Sequence, residues 1–437
     1  MGELSERSAG KLASKLPSWA AAAGKLVVPS AVNLEQCSSE AAARFKASIA
    51  ARIAGTALPA ATEEDASGAA PASERGGPGS GRPKAIADLT GGLGADTFAF
   101  AGLFERVLHN DADASLSAAV QQNFALLGVS NVVFSCHDTA PGELAFVRSF
   151  APDIIYLDPA RRDGAGRKVF LLEQCSPDLL SLEDELLGIC PDVLVKLSPM
   201  ADISMLRERL GGSFRALWIV SLGGECKELL CHLHRGAAGL ESITLVSLPG
   251  AASHVSGPQP DASSPAPEPL PGAASLAFGA MDQGKRAPVW DEGASSLCGR
   301  IIFEPGAALS KSGCADALAL RFGMSKLSRN THLFVLPSAL SGPGAGCLVD
   351  FSLSAEAGDL DTFGKSFLVK EVLPFGKAAF REVRQRFPRA DVSAHNIPLG
   401  SENLCGRLGV HPGGEGHIFG VAVGPSAERA LLVTRRL

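Results

Sequence analysis

The chain is short of the features that mark exported, membrane-spanning or broadly nucleic-acid-coating proteins. Its ten cysteines include no CxxC pair and no repeated spacing, so no disulfide framework is indicated and reduced thiols in a cytosolic protein are expected. The N-terminus has none of the charged and apolar regions of a signal peptide. No uninterrupted apolar run approaches the roughly 18 residues that a membrane span needs. A formal charge of −6 gives no general basic footprint, so any contact with nucleic acid must be local. No internal repeat is present. What the chain does have is bulk: 437 residues, 46% of them hydrophobic, enough for about three domains with real cores. A soluble cytoplasmic enzyme is the simplest expectation.

The most informative stretch is DLTGGLGADT, residues 88–97. Ala85, Ile86 and Leu89 supply a short apolar strand, the glycines 91, 92 and 94 follow at once, and a helix can continue from Asp96. Glycine tolerates positive φ and carries no Cβ, so a nucleotide-sized ligand can approach bare backbone at the helix start. About twenty residues on, Asp111 ends a second strand containing Val107 and Leu108, where a carboxylate can accept from both ribose hydroxyls. Strands over 131–135 and 153–157 run out to Asp138 and Asp158. NAD fits this ladder poorly, because Asp88 precedes the loop and the glycine order is GGxG rather than GxGxxG. S-adenosylmethionine fits it better: its amino group and sulfonium favour nearby carboxylates, and Asp138 can accept from the adenine amine.

Spacing also divides the chain. Asn33 and Gln36 can form a capping pair, and Ala41, Phe45, Ile49 and Ile53 repeat every four residues, which predicts a helix over 34–54 within a leader spanning 1–60. Residues 61–83 are rich in Ala, Gly, Ser and Pro and predict a flexible linker. A core over 84–249 should follow, with its last three strands at 193–197, 216–222 and 243–248. A second, mobile linker is expected over 250–296, and an α+β module over 297–437 with strands at 300–303, 332–336, 367–372 and 417–423 and a helix at 377–386.

Taken together, DLTGGLGADT, HNDAD (109–113), IYLDPARRDG (155–164), KLSPM (196–200) and GGECKELL (223–230) resemble the class I S-adenosylmethionine-dependent methyltransferases of bacteria that carry a THUMP-like C-terminal domain. LPSWA (16–20) and LEQCSSE (34–40) fit the leader of that family, and EPGAALSKSG (304–313) and FGMSKLSRNTHLF (322–334) fit its C-terminal part. The resemblance covers nearly the whole chain except the linkers. It implies an α/β fold with a doubly wound, seven-stranded Rossmann-like core whose seventh strand is antiparallel, then a ferredoxin-like segment over 297–364 and a THUMP-like domain over 365–437. It also implies cofactor contacts from Asp88, Thr90, Gly91, Gly92, Gly94, Asp111 and Asp138, and an RNA substrate, tRNA or rRNA.

Asp158-Pro159-Ala160-Arg161-Arg162 stands where enzymes acting on nucleobase amines resemble one another in an Asp/Asn-Pro-Pro-aromatic motif. Asp158 and Pro159 keep the carboxylate and turn that hold a target amine. Ala160 replaces the second proline and Arg161 the aromatic ring; Arg161 could stack its guanidinium plane on a base or bind phosphate instead, and Arg162 is a candidate substrate contact. Enzymes that methylate carbon 5 of uridine use Asp-Pro-Pro-Arg there together with a cysteine nucleophile after the next strand. Here that place reads Lys196-Leu197-Ser198-Pro199, so direct transfer to an acceptor with its own lone pair is expected. Lys196 could hold substrate phosphate or pair with Asp158 or Asp202. Cys226, Cys231, His232 and His234 contain metal-ligand residue types, but their spacing is poor for zinc, and a helix with inward cysteines and no metal is expected. Residues 365–407 hold eight basic against four acidic residues. Arg381, Arg384 and Arg386 are the candidate RNA contacts within that run; His395-Asn396-Ile397-Pro398 departs from the Arg-Asn-Phe-Pro usual in the family.

Overall fold

The computed structural model describes residues 6–55, 84–161, 172, 175–249, 273–337 and 360–437. They fall into two compact units: 1–223 with 227–242 and 248–273, and 224–226 with 243–247 and 274–437. No helix among the described residues is long and apolar enough to cross a membrane. The expected linker at 61–83 lies outside the described residues.

The first unit opens with α1 (Glu6–Lys15), a 3₁₀ turn (Pro17–Lys25), α2 (Ala31–Gln36) and α3 (Glu40–Gly55). The single helix expected over 34–54 is broken at Cys37–Ser39. Ser30, not Asn33, caps α2: its hydroxyl accepts from the Asn33 N–H at 3.2 Å and donates to Asn33 Oδ1 at 2.6 Å. Ser39 then restarts the chain by accepting from the Ala42 N–H at 3.4 Å. Trp19, Leu12, Leu16 and Leu34 pack with Leu93, Val120 and Phe124; each such burial contributes about 1.5–3 kcal/mol.

The sheet of this unit is built from β1 (Ala85–Asp88), α4 (Ala95–Leu103), β2 (Arg106–Asn110), α5 (Ala114–Leu126), β3 (Val132–Ser135), α6 (Ala145–Phe150) and β4 (Ile154–Leu157). A two-stranded pair, β5 (Ala160–Arg161) with β6 (Cys175–Ser176), precedes α7 (Leu179–Ile189), β7 (Asp192–Leu197), α8 (Ile203–Leu210), β8 (Phe214–Leu222) and β9 (Glu225–His234). Within the unit the strands are ordered β8-β9-β7-β4-β1-β2-β3. β3, β2, β1, β4 and β7 run parallel, and β9 lies antiparallel to β7. This is a doubly wound α/β sheet whose order reverses between β1 and β4, the place where such sheets leave a crevice at their strand ends.

Two expectations are corrected here. Residues 225–234 form strand β9 and not a helix, because Gly223 and Gly224, at φ 61° and 81°, make the two-residue hairpin turn that positive φ at both positions allows. β9 is buried over Glu228–Leu233, so it shows no alternation for a reader of the sequence to find. It takes the antiparallel seventh place, and residues 243–247 belong to the other unit.

That second unit contains β10 (Ser242–Leu248) beside β11 (Ala274–Gly279), then β12 (Ile301–Pro305), α9 (Ala307–Ser312), α10 (Ala315–Arg321), β13 (Ser325–Ser328) and β14 (Thr331–Val335). It continues with α11 (Leu360–Phe363), β15 (Gly364–Pro374), α12 (Lys377–Arg386), β16 (Asp391–His395), α13 (Ser401–Leu408), β17 (Gly416–Val423) and β18 (Glu428–Arg436). The mobile linker expected over 250–296 is corrected for its second part: 273–296 is ordered, since Leu276, Phe278 and Trp290 are buried anchors in an otherwise small-residue stretch. Its first part, 250–272, lies outside the described residues. The segments expected as separate ferredoxin-like and THUMP-like pieces share one sheet, ordered β13-β14-β12-β15-β18-β17-β16, in which β12 pairs antiparallel with β15.

Lys46 joins the leader to the sheet. It has no exposed surface, and its Nζ lies 2.8 Å from Asp96 Oδ1, 2.5 Å from Ser38 Oγ and 3.7 Å from Glu228 Oε2. Tyr156 donates to Asp96 Oδ2 at 3.0 Å. Burial acts to lower the Lys46 pKa, but Asp96 and then Glu228 raise it on balance. Removing one member of such a cluster strands the others' charges, so Lys46→Met should destabilise the protein by about 3–5 kcal/mol. Urea unfolding of the variant checks this, and a loss under about 1 kcal/mol would show that the cluster is not ionised.

Candidate active site

The crevice begins at the end of β1. Asp88 is almost fully buried and accepts from the Thr90 N–H at 3.1 Å and the Thr97 hydroxyl at 2.7 Å. Thr97 Oγ1 also lies 2.8 Å from His109 Nδ1. With the hydroxyl proton given to Asp88, the ring must donate from Nδ1, and His109 Nε2 has no hydrogen-bond partner among the described residues. Burial holds the imidazole at a pKa of about 4, so it is neutral. Burial likewise pushes Asp88 up to about 8; the Thr97 hydrogen bond opposes it and Asp96 adds to it.

The glycines have separate reasons. A Cβ on Gly91 would lie 2.1 Å from His109 Cε1, so the buried ring requires glycine there. Gly92, at φ 54°, has only Thr90 O near its missing Cβ, at 3.8 Å: it is a cradle that a side chain would fill. Its N–H donates to Asp111 Oδ2 at 2.9 Å, and Asp111 Oδ1 accepts from the Asp113 N–H at 2.8 Å. Gly94, at φ 84°, is the N-cap of α4. Asn110 latches the next loop: its Nδ2 donates to His137 O at 3.0 Å and its Oδ1 accepts from the His137 N–H at 3.0 Å. Asp138 is exposed on that loop.

Across the order reversal, the Asp158 N–H donates to Thr90 Oγ1 at 2.6 Å, which ties the end of β4 to the glycine loop. Lys196 Nζ donates to Asp158 Oδ2 at 2.6 Å, both side chains being about a quarter exposed. Of the two partners open to Lys196, the carboxylate at Asp158 is the one it meets. Pro159 is buried beside them. The structure thus brings together Asp88, Thr90, Gly91, Gly92, Asp111, Asp158 and Lys196. Arg161 has its backbone in β5, but its side chain, like Arg162 as a whole, lies outside the described residues.

Arg381, Arg384 and Arg386 lie on α12 of the second unit. Arg384 donates to Leu408 O at 3.1 Å and Arg407 O at 3.0 Å, closing the C-terminus of α13. Arg386 meets Glu371 at 2.7 Å and Glu382 at 2.6 Å. Arg381 is exposed. Sequence reasoning missed Asp96, Thr97 and His109, although Asp96 and Thr97 stand inside DLTGGLGADT. A carboxylate and a hydroxyl on the first turn of a buried helix are a signal that they point at neighbours rather than water.

A family model for a ferredoxin-like domain matches residues 302–341, whose described part spans β12 to β14. No curated protein sequence matches the chain. Among solved structures, a candidate methyltransferase from Porphyromonas gingivalis W83 is similar over 98% of this chain and 88% of its own, at 24% identity and a TM-score of 0.69. A likeness of that kind identifies the fold. An rRNA methylase from Streptococcus thermophilus overlaps 35% of this chain and 86% of its own, at 15% identity and a TM-score of 0.25. A candidate methyltransferase from Streptococcus mutans, in complex with SAH, overlaps 35% and 89%, at 12% identity and a TM-score of 0.26.

The buried Asp88 gives a pH test. An acid whose folded pKa is about 8 against 3.8 unfolded binds its proton more tightly when folded. Its contribution is therefore greatest at low pH and is lost as pH rises from about 4 to about 8. Asp88→Asn, neutral throughout, should lose less thermal stability than the parent between pH 5 and pH 8. Parallel melting curves measured across that range would show that Asp88 is already ionised at pH 5.

Proposed function

We propose that the protein is an S-adenosylmethionine-dependent methyltransferase acting by direct transfer on an RNA base, in tRNA or rRNA, held near Asp158. The observation that carries this is the crevice at the β1/β4 reversal. Its floor is the open backbone at Gly92, one wall is Asp111 and the other is Asp158. These residues fit the cofactor: Asp111, with one bond accepted on each oxygen, would hold the ribose hydroxyls, Asp88, Thr90, Gly91 and Gly94 shape the loop, and the exposed Asp138 would accept from the adenine amine. When bound, S-adenosylmethionine supplies an electrophilic methyl carbon.

The chain's own part is mainly orientation. Lys196 fixes Asp158 Oδ2, which leaves Oδ1 to accept a hydrogen from an acceptor amine, while the buried Pro159 sets the turn. Arg161 and Arg162 follow directly and serve the base and its phosphate. No cysteine stands at 196–199, so Ser198→Ala should retain activity. A small-molecule acceptor is the second reading, favoured because Arg384 and Arg386 already spend their donors inside the unit. A cofactor-binding RNA adaptor without turnover is a third, favoured by Ala160 and Arg161 standing in place of the second proline and the aromatic residue of the amine-methylating motif.

Calorimetry with S-adenosylhomocysteine tests the cofactor. Asp111→Ala should weaken binding at least tenfold, because a hydrogen bond to a charged group contributes about 1.5–3 kcal/mol. Asp158→Ala should keep affinity within about threefold, under 1 kcal/mol, yet abolish methyl transfer to cellular RNA. Parent protein that binds no cofactor overturns the proposal; binding without turnover leaves the adaptor.

RNA delivery rests on Arg381: all three arginines are exposed, but Arg384 and Arg386 are engaged by groups of their own unit. In filter binding at several salt concentrations, Arg381→Ala should flatten the log–log slope by about 0.7, one phosphate contact on a single strand, and leave cofactor affinity unchanged. No RNA retained by the parent at low salt would favour the small-molecule reading.

A further inference from the structure

We propose that Asp192, His232 and His234 form a binding site for one divalent transition metal of the zinc class, at the end of the first unit's sheet opposite Lys196. The register makes the site. In the antiparallel pair β7/β9, Asp192 faces His234 and Leu194 faces His232, so the carboxylate is directly opposite one imidazole and diagonal to the other. Side chains two apart on a strand share a face. His232 Nε2 and His234 Nδ1 each come to 2.7 Å from the same Asp192 Oδ1, and the three ligand atoms all lie within 4.8 Å of one another.

The donors select the ion. Two imidazole nitrogens and one carboxylate suit zinc, cobalt, nickel or iron, whereas magnesium and calcium require shells made of oxygen. Three protein ligands leave a fourth position for water, the arrangement of open zinc sites. Access exists on the His234 side, where the side chain is 29% exposed and the residue borders an open depression with Asp184, Ser213 and Arg235. His232 is buried on a strand flanked by β7 and β8, so its ring is held in place before any ion arrives.

Binding needs only small adjustments. Metal–ligand bonds of about 2.0–2.2 Å set tetrahedral ligand–ligand separations of roughly 3.4 Å. Asp192 Oδ1 therefore moves back by about 0.7 Å from each ring, and the two ring nitrogens, within 4.8 Å of each other, settle to the same separation by side-chain rotation. In the metal-bound site each imidazole presents its inner lone pair to the ion and carries its proton on the outer ring nitrogen, His232 on Nδ1 and His234 on Nε2. Asp192 begins β7 and Lys196 stands near its end, about four strand residues or roughly 13 Å away. The ion consequently clamps β7 to β9 and takes no part in the chemistry at Asp158.

The full chain, stripped with a chelator and desalted, is titrated with cobalt(II) and followed by visible absorption, then with zinc(II) by calorimetry. One equivalent should bind, with the d–d bands of a four-coordinate nitrogen and oxygen site and no thiolate charge-transfer band, and zinc should raise the melting temperature. His234→Gln and Asp192→Asn should each weaken zinc binding at least tenfold, with circular dichroism unchanged. Magnesium at millimolar concentration should not compete. Absence of d–d bands, or zinc affinity unaltered in both variants, overturns the proposal and leaves a hydrogen-bonded His-Asp-His cluster.

Discussion

An ammonium group sealed from water must be matched by charge, and much of the first unit is arranged around that requirement at Lys46. The lysine comes from α3 of the leader; its partners come from the start of α4 at Asp96, from β9 at Glu228 and, through Asp96, from β4 at Tyr156. Each element alone would bury an uncompensated polar group, at a cost of several kcal/mol. Assembled, they match one another's charge: Asp96 Oδ1 and Glu228 Oε2 face the ammonium, while Glu228 Oε1 has no hydrogen-bond partner among the described residues. Because α4 is the helix that the glycine loop opens into, the leader is bonded to the element that sets the loop's exit.

A second buried chain of polar groups positions the loop's entrance. Asp88, Thr97 and His109 are linked in a row, and the ring at its end fills the space that would otherwise admit a side chain at residue 91. The crevice therefore depends on groups that face away from it. Asp111 and Asp158 are then fixed by the loop itself, one through Gly92 N–H and the other through Thr90 Oγ1.

The positions of the acidic residues around the glycine loop were legible because each stands within a few positions of the strand it terminates: Asp88 on β1, Asp111 after β2, Asp158 after β4. Local order suffices for such a pattern. Lys46 was not legible, since a lysine reads as surface until a carboxylate 50 positions away is known to meet it. The segment 225–234 misled because a strand buried on both faces loses its alternation, and reading it as a helix set His232 and His234 on different sides and hid Asp192. The structural bonds of Arg384 were hidden for a related reason: the carbonyls it serves, at 407 and 408, carry no side-chain signature. Trp290 shows the converse, one large apolar residue ordering a stretch whose composition predicted a linker.

The pairing of β12 with β15 removes a modularity that the succession of segments suggests. Five consecutive residues, Ile301 to Pro305, are bonded to a strand that begins only at Gly364, beyond the stretch that the ferredoxin-like family model matches. A protein ended at residue 341 would present the bare edge of β12, two of whose residues, Ile302 and Phe303, are fully buried in the whole chain. Such an edge recruits strands from other molecules. The second unit therefore folds as one piece, and a cut after residue 341 would turn a paired strand into an aggregation-prone edge.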